Sequence, residues 1–340
     1  MSELNIYILA IESSCDDTAA SVLKNDKVLS NVVANQLVHN QYGGVVPELA
    51  SRAHQQNIVP VIEAALKKAN ISKKQLSAIA FTQGPGLLGS LLVGSSFAKS
   101  IAIGLDIPLI AVNHMHAHIM AHFIDEVGFG KPTFPFLALT ISGGHTQIVQ
   151  VNDHFDLKII GETTDDAVGE AFDKSAKILG MPYPGGPLVD KHAQTGNPNA
   201  FQFTKPKIDG LNFSFSGLKT QILYFVQKNV AKNPNFITEN LNDICASIQL
   251  TIINILMDKI TLAVAQTGIT QIAIGGGVSA NSGIRAAIKN TELAKGWKTF
   301  IPKFEYTTDN AAMIGIVGYQ KFLSAKFETQ SVTSKARIPF

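Results

Sequence analysis

Two stretches of the chain share one design, and that repetition constrains the fold more than any other feature. "LAIESSCDDTAASVLKND" begins at Leu9 and "LALTISGGHTQIVQVND" at Leu137; aligned without a gap, they agree at Leu9/Leu137, Ala10/Ala138, Ser14/Ser142 and Thr18/Thr146. Each reads as an apolar strand, a small polar turn and a second strand, so a β-hairpin opens each half. Further along, each half has an apolar strand running into glycines and then a helix: "LSAIAFTQGPGLLGSLLVGSSFAKSIA" from Leu76 and "TQIAIGGGVSANSGIRAAIK" from Thr270. The repeated order predicts two related α/β lobes with a ligand cleft between them. A chain of 340 residues, 46% hydrophobic and 16% charged, can bury two such cores. The expected bounds are 1–125 for an N-terminal lobe, with about 318–340 packing back on it, and 135–317 for a C-terminal lobe. Between them "DEVGFGKPTFP", rich in Gly and Pro, is the expected crossing.

Composition narrows the function classes. The N-terminal apolar run has no basic segment before it and meets Glu12 too early for a signal peptide. The best apolar candidate for a membrane span, "LLGSLLVGSSFAKSIAIGL", is interrupted by serines, glycines and Lys99, so the reading is a soluble, unexported, cytoplasmic chain with no membrane partner. Two cysteines, Cys15 and Cys245, are too few for a disulfide framework or a Cys-based zinc site. A formal charge of +2 leaves nucleic-acid binding to a local patch, for which Lys205, Lys207, Lys219, Lys335 and Arg337 are candidates. Amphipathic helices are expected over Pro47 to Asn70, with a break at Pro60, and over "LNDICASIQLTIINILMDKITLAVAQTG".

Several short motifs have the residues for chemistry. "GPGLLG" fits G-x-G-x-x-G, but it lies far into the chain and Asp106 precedes a strand, so the glycines are read as allowing a helix to pack closely on a strand. "TISGGHT" and "GGGVSAN" are glycine turns at strand ends in one half, where exposed N–H groups can meet a phosphate; together they suggest one nucleotide-like site. "TTDDAVGEAFDKSAKILG" reads as a helix capped by Thr164 and stopped at Gly180, with Asp166, Glu170 and Asp173 on one face. A solvated acidic face is its ordinary explanation. "YPGGPLVDKHA" then places a rigid glycine loop ahead of Asp190. "NHMHAHIMAH" holds four of nine histidines, with His114, His118 and His122 on one helical face and His116 turned away. His114 and His118 have a metal-ligand spacing, although Met115 stands where H-E-x-x-H needs its glutamate. Asp309 in "YTTDNAAM" lies just before an apolar helix, where a carboxylate could cap that helix and still face a cleft.

Taken in order, "AIESSCDDTAASV", "YGGVVPELASRAH", "GPGLLGSLLVG", "NHMHAH", "ISGGHTQIV", "GEAFDKSAKILGMPYPGGP", "NFSFSGLKT", "GGGVSAN" and "TTDNAAMIG" resemble the tRNA adenosine threonylcarbamoyltransferase family, in its bacterial and organellar branch. The resemblance runs from about Ile6 to Gly318. It implies a two-lobed fold of the actin, heat-shock chaperone and sugar-kinase type (ASKHA). It implies transfer of a threonylcarbamoyl group from L-threonylcarbamoyl-AMP to the exocyclic amine of the adenosine immediately 3′ of the anticodon, in tRNAs reading codons that begin with A. One divalent metal per subunit, Fe2+ or alternatively Zn2+, is implied on His114, His118 and Asp309. Intermediate-binding positions carry over to Thr140, Ile141, Ser142, Gly143, Gly144, Asp173, Gly186, Asp190 and Asn281. Implied partners are tRNA, an upstream adenylate-forming enzyme, an inactive paralogue (TsaB) and a P-loop ATPase (TsaE). Glu12 and Asp16 on the first hairpin are candidates for proton handling. The chain departs from the family at His116-Ala117, where Glu-Gly is common, which leaves the histidine pair intact. A metallopeptidase, a non-catalytic nucleotide-binding partner subunit and a sugar kinase are the alternatives of other classes.

Overall fold

The computed structural model describes residues 5–340. The first hairpin is β1 (Tyr7–Glu12) and β2 (Thr18–Lys24), followed by β3 (Lys27–Ala34), helix α1 (Pro47–Ala69), β4 (Ala78–Gly84), α2 (Leu88–Leu105), β5 (Leu109–Asn113) and the short α3 (His114–Met120). The second hairpin is β6 (Phe136–Ile141) and β7 (Thr146–Val151), then β8 (Leu157–Glu162), α4 (Val168–Ile178), α5 (Gly186–Ala193), α6 (Ser216–Val230) and α7 (Phe236–Thr267). β9 (Gln271–Gly275), α8 (Ser282–Lys295), β10 (Lys298–Phe300) and α9 (Ala311–Leu323) complete the order.

The chain divides into two compact units: residues 1–131 with 302–340, and residues 132–301. In the first, the sheet order is β3-β2-β1-β4-β5; in the second it is β8-β7-β6-β9-β10. Both pair their first three strands antiparallel and add the other two in parallel. The repeat seen in the sequence is therefore a repeat of topology. The second unit closes at Ile301, which places α9 with the first unit, against β1, β2 and β4, earlier in the chain than the expected return near 318.

Strands buried on both faces explain the near-continuous apolar reading of β1 and β4. Leu9, Ile11, Ile79 and Phe81 join Ile58, Ile62, Ala98 and Ala102 of α1 and α2 in one core. The opposite face meets α9, which comes so close that a Cβ on Gly315 would lie 2.2 Å from Leu23 Cδ1 and one on Gly318 2.6 Å from the Ala80 Cβ. In the second unit Leu137, Leu139 and Ile148 of the sheet pack with Phe172, Phe213, Phe215, Ile248 and Ile252.

Three local expectations change. α1 runs unbroken through Pro60. Proline removes one helical N–H, but Pro60 and Gln56 are both exposed, so water can satisfy the carbonyl left over. α4 starts at Val168 and not at the expected Thr164 cap; the first N–H, that of Val168, goes to the Thr146 hydroxyl at 2.8 Å, a cap supplied from β7. Asp166 therefore lies ahead of the helix. α2 and α7 are long and apolar enough to cross a membrane by length and composition, yet Leu91, Ala98 and Ala102 of α2, and Ile248, Ile252 and Ile260 of α7, are buried within the units.

Candidate metal centre and glycine-lined site

In the first unit Glu12 ends β1, Gly84 ends β4 and Asn113 ends β5, so chemistry-bearing groups collect at the carboxyl edge of parallel strands. Asn113 starts α3: its Oδ1 accepts from Met115 N at 2.8 Å and His116 N at 3.3 Å. One helical turn then stacks His114 over His118, with Nε2 to Nε2 at 3.2 Å. α3 packs against α9, and the turn before α9 delivers Asp309. Asn310 performs the capping expected of Asp309, accepting from Met313 N at 3.0 Å, and that leaves the Asp309 carboxylate available. Its Oδ1 lies 3.4 Å from His114 Nε2 and 3.2 Å from His118 Nε2.

These three atoms form a nearly equilateral triangle. Ligands about 2.1 Å from a tetrahedral ion stand about 3.4 Å apart, so the triangle has the size of a metal face. The chemistry of the donors points the same way. Glu12 Oε2 accepts from His114 Nδ1 at 3.0 Å, which fixes the proton on Nδ1 and turns the Nε2 lone pair toward the Asp309 oxygen. An imidazole nitrogen facing a carboxylate in a buried site calls for a cation between them, a proton on Nε2 or a metal ion that displaces it. Burial alone would lower the His114 pKa, yet Asp309 and Glu12 raise it well above the ordinary value. Burial likewise works against ionising Asp309, but His114 and His118 pull its pKa below the usual carboxylate range.

Glu12 is fully buried. Besides His114 it accepts from the Ser14 amide at 2.5 Å and from Thr82 Oγ1 at 2.6 Å, so it braces a ligand from behind. Asp16, half-buried on the hairpin turn, stands outside the His-His-Asp group. His116 turns away and packs edge-on to Phe340, with ring centroids 4.7 Å apart. Burial, aided by the charge of Lys321, lowers its pKa to about 4. His122 does not extend the row, because α3 ends at Met120 and His122 falls in a 3-10 turn.

In the second unit the equivalent edge is lined by glycine. Ser142 N donates to His145 O at 2.8 Å and His145 N to Ser142 Oγ at 3.0 Å, which closes a turn whose tip, Gly143 and Gly144, is exposed. Thr140, paired with Gly275 across the sheet, is buried with no partner for its hydroxyl; Ser279 is the same. Ile141 is core. Gly276 has φ +86°, and a Cβ there would strike Ile141 O at 2.4 Å. Asp173 Oδ1 accepts from Gly185 N at 2.8 Å and Gly186 N at 3.0 Å and so ties the glycine loop to α4. Burial raises its pKa against those two amides. Asp190 holds Ser282 through its N at 3.0 Å and its hydroxyl at 2.7 Å. Asn281 caps α8 through Ile284 N at 3.0 Å and donates to Gln249 Oε1 at 2.7 Å. Gln249 and Ser279 were missed in the sequence, although a glutamine in the apolar run of α7 is a visible irregularity.

Two sheets of identical order, with a His-His-Asp group at one strand edge and a glycine edge in the other unit, define a duplicated α/β protein of the actin, heat-shock chaperone and sugar-kinase class with a place for a metal ion. Solved structures agree on that fold. The (R)-2-hydroxyglutaryl-CoA dehydratase component A of Acidaminococcus fermentans has TM-score 0.53 and 17% identity over 93% of this chain and 98% of its own. Full-length HypF has TM-score 0.63 and 14% identity over 95% of this chain and 47% of its own. A family profile described as TsaD, tRNA N6-adenosine threonylcarbamoyltransferase, matches residues 27–316. Relatives of that name are 71% identical over the full length of both chains in Christiangramia forsetii, and 60% identical over 97% of each in Riemerella anatipestifer. The chain belongs to the tRNA N6-adenosine threonylcarbamoyltransferase family. It is a transferase of tRNA modification, with tRNA as a substrate.

Proposed function

We propose that this chain takes L-threonylcarbamoyl-AMP as donor and transfers its threonylcarbamoyl group to N6 of the adenosine immediately 3′ of the anticodon, in tRNAs reading codons that begin with A. The N6 nitrogen bonds to the carbamoyl carbon, the bond from that carbon to the phosphate oxygen breaks, AMP leaves with the electron pair, and one N6 proton passes to solvent. The donor is already activated, so the protein's task is to position it and to stabilise charge on the departing phosphate. The adenylate is assigned to Thr140, Ile141, Ser142, Gly143, Gly144, Asp173, Gly186, Asp190 and Asn281. Amides of the exposed glycine tip face the phosphate, while Asp173 and Asp190 hold the loops that frame the ligand.

His114, His118 and Asp309 hold one divalent ion, which when bound supplies a Lewis acid with open positions. Two imidazoles and one carboxylate suit iron(II), and zinc(II) is the other ion such donors accept. What carries this reading is the triangle of sides 3.2, 3.4 and 3.2 Å, with Glu12 behind one corner. Glu12 fixes the tautomer of His114, and Asp16 is left as the proton-handling candidate on the first hairpin. The exposed Lys335 and Arg337 are assigned to tRNA phosphates; Lys205, paired with Asp258, is a weaker candidate. An inactive paralogue and a P-loop ATPase assist. An apolar-walled groove of about 720 Å3 between α1 and α2, with exposed Val59 and Leu92, supports a protein partner on the first unit. The activity is assigned to the cytoplasm, where tRNAs are used.

Depletion of the protein tests the reading. N6-threonylcarbamoyladenosine in digested tRNA should fall toward zero; a normal level in cells with no second enzyme of this activity rejects the proposal.

A further inference from the structure

The carboxyl edge of the first sheet is covered by the chain's own last segment. Lys335 N donates to Gln83 O at 2.8 Å and Gly86 N donates to Ala336 O at 3.1 Å, so the segment lies along the turn that follows β4. Gly84, with φ +154°, makes this possible: a Cβ there would sit 1.9 Å from the Lys335 carbonyl oxygen. Lys99 Nζ donates to Val332 O at 2.5 Å, which anchors the start of the segment to α2. Its end reaches the metal helix. Asn113 Nδ2 donates to Pro339 O at 3.2 Å while the same side chain's Oδ1 caps Met115 N and His116 N. The Phe340 ring meets the His116 ring at 4.7 Å.

We propose that residues 332–340 are a strap that fixes the N-terminal turn of α3, and through it His114, with Asn113, His116 and Phe340 as positioning residues. An asparagine amide that caps a helix must have its oxygen turned inward. The bond from its nitrogen to Pro339 O holds that orientation. His116 stands two residues from each histidine ligand and cannot reach the ion, so the docked ring is how this side chain bears on the site. This explains a motif the transfer reaction leaves unused: the extra imidazole at 116, where the family commonly has glutamate, is the seat of Phe340.

The proposal rests on the metal assignment above, and its test separates the two. Zn2+ affinity and amide exchange of Met115 and His116 are measured on the purified full chain, wild type, Phe340→Ala, Phe340→Tyr, His116→Ala and His114→Ala, with exchange read in metal-free protein. Phe340→Ala should bind Zn2+ about tenfold more weakly, as is usual for groups behind a ligand, and exchange Met115 and His116 amides faster; Phe340→Tyr should behave as wild type. His116→Ala should do the same as Phe340→Ala, and a chain carrying both substitutions, measured alongside, should be little worse than either. If His114→Ala binds Zn2+ as wild type does, the metal assignment fails, and the strap stands or falls on the exchange of the two amides. Wild-type exchange in both Phe340→Ala and His116→Ala overturns the strap. So does faster exchange with unchanged Zn2+ affinity when His114→Ala has lost binding.

Discussion

The two hairpin turns, residues 13–17 and 142–145, close the same pair of strands in the same sheet order, yet they differ in what precedes them and in how open their tips are. The first turn follows a fully buried glutamate that leans on His114, and it is crowded: Ser14 O lies against Gly86, and Ser13 Oγ against Gly94. The second also has a glycine packed behind it, Gly169 against Ser142 O and the Gly143 backbone, but at its tip a Cβ on Gly143 or Gly144 would meet nothing within 4 Å. The strand-helix junctions differ in the same sense. After β4 the glycines are covered by backbone from residues 335 and 336, whereas after β9 Gly276 is closed in by Ile141 O but a Cβ on Gly277 would meet nothing within 4 Å. One duplicated backbone thus supports two kinds of site. On the function proposed above, filling the strand edge with the chain's own groups makes a rigid ligand cage, and leaving it bare makes room for a phosphate.

The metal ligands are the most severe way to break this contrast. His114→Ala, His118→Ala and Asp309→Ala should each lose the bound ion and transfer activity, a larger loss than the roughly 10- to 100-fold in affinity expected for Glu12→Gln, whose carboxylate acts through His114. His122→Ala should retain one ion per chain. Elemental analysis with a zinc titration reads both; metal retained in Asp309→Ala would dissolve the cage, and unchanged affinity in Glu12→Gln would remove its brace.

A pair of glycine substitutions sharpens the filled-versus-open distinction. Gly86→Ala places a Cβ 2.4 Å from the Ser14 carbonyl oxygen, so it should destabilise the chain by about 1–3 kcal/mol as overpacking does. Gly144→Ala has free space and should leave the melting temperature unchanged while weakening the threonylcarbamoyl adenylate in calorimetry. Equal melting temperatures for the two variants would erase the difference between the edges.

The smallest effect is in pH. Burial, helped by the Asp309 charge, pushes the Asp17 carboxyl up to about 7. A carboxyl with a raised folded-state value contributes stability that is full below its unfolded value and lost as pH rises through about 7. The position matching Asp17 in the second turn is His145, so this loss belongs to the first turn. In metal-free protein, the melting temperature of Asp17→Asn relative to wild type should therefore rise between pH 5 and pH 8. A pH-independent gap would show that Asp17 ionises normally.

The sequence by itself determined what depends on local pattern. Apolar runs foretold the opening hairpin and the later strand-helix unit of each half, because strand burial is written in period and composition, while the remaining strands and the order of both sheets came from the structure. The four-residue spacing put His114 and His118 on one face, because a helix has a fixed turn. The nine ordered motifs pointed to the family. Tertiary structure alone decided everything that depends on distant partners. The start of α4 rests on a hydroxyl from β7, and the passage of α1 through Pro60 on which side of the helix meets water. Asp309 is close to the histidines only because α9 returns to the first sheet. The strap over Gly84 is equally silent in sequence, since a glycine that admits a carbonyl from residue 335 reads the same as one that admits a nucleotide. The physical reason is range: propensity and periodicity act over one or two turns of chain, while caps, carboxylate braces and close backbone approaches are settled by which buried surfaces meet.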